Sequence, residues 1–160
     1  MLVRSQPYLF QPEHSEWPTP KDFFDRLNKE FRFTLDAAAN AGNAKTDKWY
    51  GVDHDGLSMP WPGVVWCNPP YGREIGLWIR KGFESAKEGA TVVMLLPVRT
   101  SAPYFHDYCL RGEIRFVKGR LSFGETNAPF DSMIVIFRPG RLLEGDCAPF
   151  IGQSIGRAVE

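Results

Sequence analysis

Four consecutive residues, Asn68-Pro69-Pro70-Tyr71, combine the side-chain types that can hold a planar amine for alkylation. An exocyclic –NH2 on an aromatic ring is a poor nucleophile, because its lone pair is delocalised into the ring. The amide oxygen of Asn68 and a nearby main-chain carbonyl can each accept one of its hydrogens. That draws the nitrogen toward tetrahedral geometry and turns its lone pair to an electrophile. Pro69 and Pro70 fix their own φ and restrict the residues before them, which stiffens the loop around Asn68. Tyr71 offers a flat face for a heteroaromatic ring. The same letters also describe a Pro-Pro turn after a core strand, with Asn68 as an ordinary turn former. Alone, the tetrapeptide does not choose between a nucleic acid and a protein amide as the source of the amine.

A methyl donor such as S-adenosylmethionine, with its amino-acid end and adenosine, would have to lie beside that amine. In wound α/β folds the end of the first strand is where such a molecule crosses the sheet. Asp36 falls there, and its carboxylate suits an ammonium group, while Ala37-Ala38-Ala39 lets the backbone approach closely. A turn cap is the plainer role for Asp36. Thr19 precedes Pro20 at a helix start, so its hydroxyl either caps the helix or meets the donor's carboxylate at the positive end. Capping is the favoured reading. Asp53 and Asp55 divide between ribose or adenine contact and turn chemistry, with the turn slightly favoured. No Gly-x-Gly-x-x-Gly occurs, so nothing supports a nicotinamide or flavin site. His14, His54 and His106 are scattered and read as surface or packing residues. Cys67, Cys109 and Cys147 are odd in number and far apart, which makes neither a disulfide framework nor a metal site.

These residues need elements to position them. Residues 1–16 are polar and proline-containing and read as an extended arm. A helix is predicted over 21–31, with Phe23, Phe24, Leu27 and Phe31 on one face. Residues 31–35 alternate as a strand that delivers Asp36, and 40–62 are mostly loop. A short buried strand over 63–67 leads into Asn68. A helix over 74–87 turns Ile75, Trp78, Ile79 and Phe83 inward, and Gly89 stops it. Residues 91–96 form a buried strand closed by Pro97. A short helix over 102–110 and strands over 113–117 and 132–137 follow, the two strands separated by a loop containing Lys118 to Phe123. The order predicts one compact α/β domain over 17–140 with a mixed, mostly parallel sheet, and a peripheral tail over 141–160.

Bulk properties narrow the function further. The 160 residues are 43% hydrophobic, without an apolar run of membrane-spanning length, and the first seven lack the apolar core of a signal peptide. A reducing cytoplasm is expected. The 19 basic and 19 acidic residues cancel, which argues against tight, non-specific nucleic-acid binding. Residues 99–120 are locally basic, with Arg99, Arg111, Arg115, Lys118 and Arg120 against Asp107 and Glu113. A docking patch and a solvated face explain that equally well.

Longer runs carry a resemblance. They are Trp17-x-Thr19-Pro20, Phe33-Thr34-Leu35-Asp36-x-Ala38-Ala39, Asn43-Ala44-Lys45, Asp55-Gly56-Leu57, Trp66 to Gly72 and Trp78-Ile79-x-Lys81. Val93 to Pro97 with Arg99-Thr100, Lys118-Gly119-Arg120-Leu121-x-Phe123 and Ile134 to Phe137 continue them in order. Together they resemble the phage-type Dam family of DNA adenine-N6 methyltransferases over roughly residues 17–137. The resemblance implies a Rossmann-like methyltransferase fold, S-adenosylmethionine as cofactor, adenine in DNA as acceptor and the host bacterial cytoplasm as location. It assigns the amine grip to Asn68 and Pro69, with Pro70 stiffening the loop, and base stacking to Tyr71. It places Asp36 at the donor site with Thr19 and Pro20 ahead of it; Ala38 and Asp55 join them by position alone, and Lys118 and Arg120 in a glycine-containing loop, with Arg99 at a strand end, are candidates for DNA phosphate contact. The sequence offers no zinc finger or helix-turn-helix for base readout, which points to short specificity or help from a partner or homodimer. RNA or a protein glutamine as acceptor, and a non-catalytic DNA-binding module, stay open beside it. One departure is the turn after the first strand, alanine-rich here and glycine-rich in larger adenine methyltransferases. The other is the short stretch between Asp36 and Asn68.

Overall fold

Phe23, Phe24, Leu27 and Phe31 recur at helical spacing and form α1 (Lys21–Phe31), on the bounds that spacing predicts. The computed structural model describes residues 17–123 and 126–144, so the expected arm over 1–16 and the tail beyond 144 lie outside the described residues. Helix α1 stops where Arg32 turns left-handed (φ 57°) and its N–H returns to the Asn28 carbonyl. That turn consumes the residues expected to begin a strand, and only β1 (Leu35–Asp36) pairs. Next come β2 (Val64–Cys67), α2 (Ile75–Lys87), β3 (Thr91–Pro97) and α3 (Pro103–Asp107). A 3-10 turn, Cys109–Arg111, takes up the rest of the expected 102–110 helix. The chain then forms β4 (Glu113–Phe116), β5 (Ser122–Phe123), β6 (Thr126–Asn127) and β7 (Ser132–Phe137). The β5–β6 hairpin replaces the plain loop expected there.

The main sheet has the order β1-β2-β3-β7-β4. Parallel pairing is limited to Leu35–Asp36 with Val65–Trp66 and to Val64–Cys67 with Thr91–Met94. Antiparallel ladders join Val92–Pro97 to Ser132–Phe137, and Glu113–Phe116 to Met133–Ile136. The sheet is therefore mixed, but its pairing is mostly antiparallel rather than mostly parallel. The reason is β7, which inserts between β3 and β4 instead of lying at an edge. A short return from β4 can deliver a strand running the opposite way, whereas a parallel insertion would need a long crossover.

Alternation along the strands splits the core into two layers. Val93 and Leu95 face α1 with Phe24, Phe33, Trp66, Ile134 and Ile136. Val92, Met94 and Leu96 face α2 and α3 with Ile79, Phe83, Phe105, Val135 and Phe137. Each fully buried aliphatic or aromatic side chain contributes about 1.5–3 kcal/mol. Gly82 lets α2 sit close to the sheet, since a Cβ there would lie 2.9 Å from the Met94 sulfur. Among the described residues no helix is long and apolar enough to cross a membrane.

One consequence positions the site. Strands β1, β2, β3 and β4 all point the same way, so their carboxyl ends share one edge of the sheet. Asp36 closes β1, Asn68 follows β2, Arg99 lies two residues past β3, and Lys118 two past β4.

Candidate active site

The chain leaves the sheet after Cys67 and turns at Asn68-Pro69-Pro70. The Asn68 amide is held by two contacts: Nδ2 donates to the Trp17 carbonyl at 2.5 Å and to the Thr19 hydroxyl at 3.1 Å. A main-chain carbonyl only accepts, so the Trp17 contact identifies the nitrogen end of the amide. The other end, Oδ1, is buried and has no hydrogen-bond partner among the described residues. An unpaired buried carbonyl costs about 1–3 kcal/mol. Among the described residues the loop therefore keeps one amide acceptor uncommitted.

Thr19 differs from its expected role. It is buried, and α1 has no side-chain cap; Pro20 occupies the N-cap position, where its carbonyl accepts the Phe24 N–H. The hydroxyl that would have capped the helix holds Asn68 instead.

Thr19, Asn68, Pro69 and Pro70 line a cavity of about 340 Å³ that also takes in Asp36, Ala38 and Asp55. Seven of the residues proposed from sequence thus meet around one space. Pro20 does not line it and acts at the helix start.

Asp36 is 2% exposed, and burial pushes its carboxyl from the ordinary 3.8 up to about 6. Two backbone N–H groups oppose that shift, from Lys45 to Oδ2 at 3.0 Å and from Ala38 to Oδ1 at 3.3 Å, helped by the Lys45 charge. Asp36 thus organises its turn, the plainer of the two roles expected for it, and it keeps capacity beyond that role. Each carboxylate oxygen can accept a second hydrogen bond. A buried carboxylate bordering a cavity fits a cationic ligand group such as an ammonium.

The connection from β1 to β2 forms the cavity's far wall and contains no α-helix, only the 3-10 turn Val52–His54. Its shape comes from internal bonds. Tyr50 donates its hydroxyl to the Pro60 carbonyl, and Trp61 its indole N–H to the Gly56 carbonyl, both at 2.7 Å. A Cβ on Gly56 would sit 2.4 Å from the Ala37 carbonyl oxygen, so only glycine passes β1 so closely. Asp55 has φ 40°, and its carboxylate accepts the Ser58 hydroxyl at 2.5 Å. Its turn role is realised at the cavity wall itself. Asp53 is exposed and does not line the cavity.

Tyr71 lies just outside this space. Its hydroxyl donates to the Leu95 carbonyl at 3.2 Å, and its ring meets Phe130 edge-on at 5.4 Å. Burial holds its phenol above the ordinary value. Phe130 and Phe123 also pack on Trp17, at 5.5 and 5.2 Å. Sequence reasoning missed Phe130, because only the β5–β6 hairpin brings it to the loop. Trp17 stood at the head of a family-like run, but its part, a backbone carbonyl, leaves no mark in residue type.

Arg99, Lys118 and Arg120 share the sheet edge with the cavity but do not line it. All three are exposed, and Arg120 lies 3.7 Å from the Asp131 carboxylate. Among the described residues no group of three or more His, Cys, Asp or Glu is placed to hold a metal.

The model of the DNA N-6-adenine-methyltransferase (Dam) family matches residues 7–141. A DNA N-6-adenine-methyltransferase of Haemophilus phage HP1 (strain HP1c1) is 32% identical over 136 residues, spanning 77% of this chain and 78% of that protein. One of Escherichia phage T1 is 32% identical over 92 residues, spanning 56% of this chain and 38% of that protein. With the family match running through the whole sheet and the loop after β2, the chain belongs to the DNA N-6-adenine-methyltransferase (Dam) family.

Proposed function

We propose that the protein methylates the N6 amine of adenine in DNA, with S-adenosylmethionine as donor and residues 17–140 as a Rossmann-like catalytic domain, acting in the cytoplasm of a bacterial host. The observation that carries this reading is the buried Asn68 Oδ1, without a hydrogen-bond partner among the described residues, on a residue that lines the same cavity as Asp36. In this reading Asp36 and the Ala38 backbone hold the donor's amino-acid end, and Asp55 borders its remainder. Bound there, the donor supplies an electrophilic methyl group on a sulfonium.

The remaining steps belong to the chain's own residues. An adenine stacked in a duplex cannot present N6 to the cavity, so the base is extruded, at a cost of a few kcal/mol. Asn68 Oδ1 and the Pro69 carbonyl each accept one N6 hydrogen, which localises the lone pair on nitrogen. Positive charge then grows on N6 during transfer, and the two fixed acceptors stabilise it without reorganising. Tyr71, anchored through its hydroxyl, presents its ring to the base, which offsets part of the unstacking cost. The proton departs after transfer, so the step requires no dedicated histidine base, and neither His54 nor His106 lines the cavity.

The test is Asn68→Ala. Turnover on DNA should fall by at least ~10²-fold, as for other lost charge-stabilising groups, while the Kd for S-adenosylmethionine by calorimetry stays within about twofold. Retention of wild-type turnover would remove the amine-gripping role.

A further inference from the structure

A second concavity, of about 400 Å³, opens between the start of α2 and α3. Its charged lining is Arg73, Arg80 and Arg99 against a single acid, Asp107. All three arginines are exposed, and neither Arg80 nor Arg99 makes an ion pair among the described residues. Three guanidinium groups repel one another, and a chain of zero net charge has no general need to gather them. The Tyr104 hydroxyl, also on this wall, is buried and has no hydrogen-bond partner among the described residues. The Arg99 charge acts on that phenol, opposing the upward push of its burial. The cleft thus combines a positive field with an uncommitted hydroxyl, and the amino end of the 13-residue α2 opens into it.

Its place in the chain says what it is for. Gly72 and Arg73, which line the cleft, directly follow Tyr71, so the catalytic loop runs from one site into the other. Arg99 comes from the end of β3, on the same sheet edge as Asn68. We propose that this cleft seats a phosphodiester of the DNA strand that carries the target adenine, gripped by Arg80 and Arg99 with Arg73 and the Tyr104 hydroxyl completing the shell. This rests on DNA being the substrate. Guanidinium pairs suit phosphate oxygens because they donate two parallel hydrogen bonds. Such a contact fixes the register of the strand without reading its sequence. It would place the sugar-phosphate next to the loop that receives the extruded base.

The experiment is methyl transfer to duplex oligonucleotides across a salt series. It compares wild type, Arg80→Gln/Arg99→Gln, Arg80→Lys/Arg99→Lys and Arg26→Gln. Arg26 is exposed on α1, across the sheet from the cleft. The double Gln variant should raise the KM for DNA about tenfold and flatten the dependence of log KM on log salt by about one to two. Its kcat at saturating DNA, its donor affinity and its unfolding midpoint should match wild type. The double Lys variant should recover the salt slope, and Arg26→Gln should change nothing. Wild-type KM and slope in the double Gln variant would overturn the cleft. A wild-type enzyme that transfers no methyl to DNA would overturn the substrate reading itself, before any variant is compared.

Discussion

Thr19 and Asn68 act as one unit although the whole first half of the domain separates them. The Thr19 hydroxyl and the Trp17 carbonyl set the direction of the Asn68 amide, so a change at Thr19 should reach the chemistry only through Asn68. Thr19→Val keeps the shape and removes the oxygen. It should lower kcat about tenfold, as expected for a loosened catalytic group, and leave the donor Kd unchanged. A raised donor Kd with kcat intact would return Thr19 to the donor site. Asp36 gives a prediction of opposite kind. Its carboxyl sits at about 6 instead of 3.8, so its effect on the free protein is to lower stability as pH rises through that window, when the carboxylate forms in a buried place. A cation beside it removes the penalty. With Asp36 holding the donor's ammonium as proposed, binding needs the ionised form, and the Kd for S-adenosylmethionine should weaken by about tenfold per pH unit below 6, read by calorimetry between pH 5 and 8. A Kd flat across that range would separate Asp36 from the donor. At this scale sequence reasoning found the residue types and often not their partners. The Thr19 hydroxyl was favoured as a helix cap and meets Asn68 instead, because that choice depends on a loop that is local only in three dimensions.

Element by element, legibility follows how far each signal travels. Helix α1 and strand β7 fall on their expected bounds, because their apolar spacing is local and strong. Strand β1 is shorter than the alternation of Phe31 to Leu35 suggested, since Arg32 spends its turn ending the helix. The β5–β6 hairpin was invisible because each strand is two residues long, and its ring contacts, not its own pattern, hold it to the loop. The sheet's pairing was misjudged for a related reason: nothing within residues 132–137 says that they will lie between β3 and β4. The connection from β1 to β2 was expected to be mostly loop and is, yet its function as a cavity wall rests on tight backbone approaches. Gly56→Ala tests that wall. Its Cβ would collide with the Ala37 carbonyl, so the 55–58 turn must shift. Stability should fall by about 1–3 kcal/mol in urea unfolding, and donor affinity should fall with it. An unchanged donor Kd would mean that the wall does not touch the donor.

At the scale of the molecule, the single sheet edge reconciles zero net charge with a polyanionic substrate. Asp36 ends β1, and Asn68, Arg99 and Lys118 follow three further strands that end on the same side, so a neutral protein can still gather basic residues on the sheet edge that holds the cavity. In the proposed reading long-range attraction to DNA is weak, and affinity depends on a few placed contacts rather than on overall field. That arrangement is compatible both with a composition that argued against tight, non-specific nucleic-acid binding and with ordered motifs that pointed to DNA. The central claim is methyl transfer to adenine N6 in DNA. The most direct measurement supplies S-adenosylmethionine with a labelled methyl group and unmethylated duplex DNA, then digests the DNA and separates the nucleosides. Label confined to N6-methyldeoxyadenosine is the predicted result. Label in another nucleoside, or none in DNA despite measurable donor binding, would contradict the account.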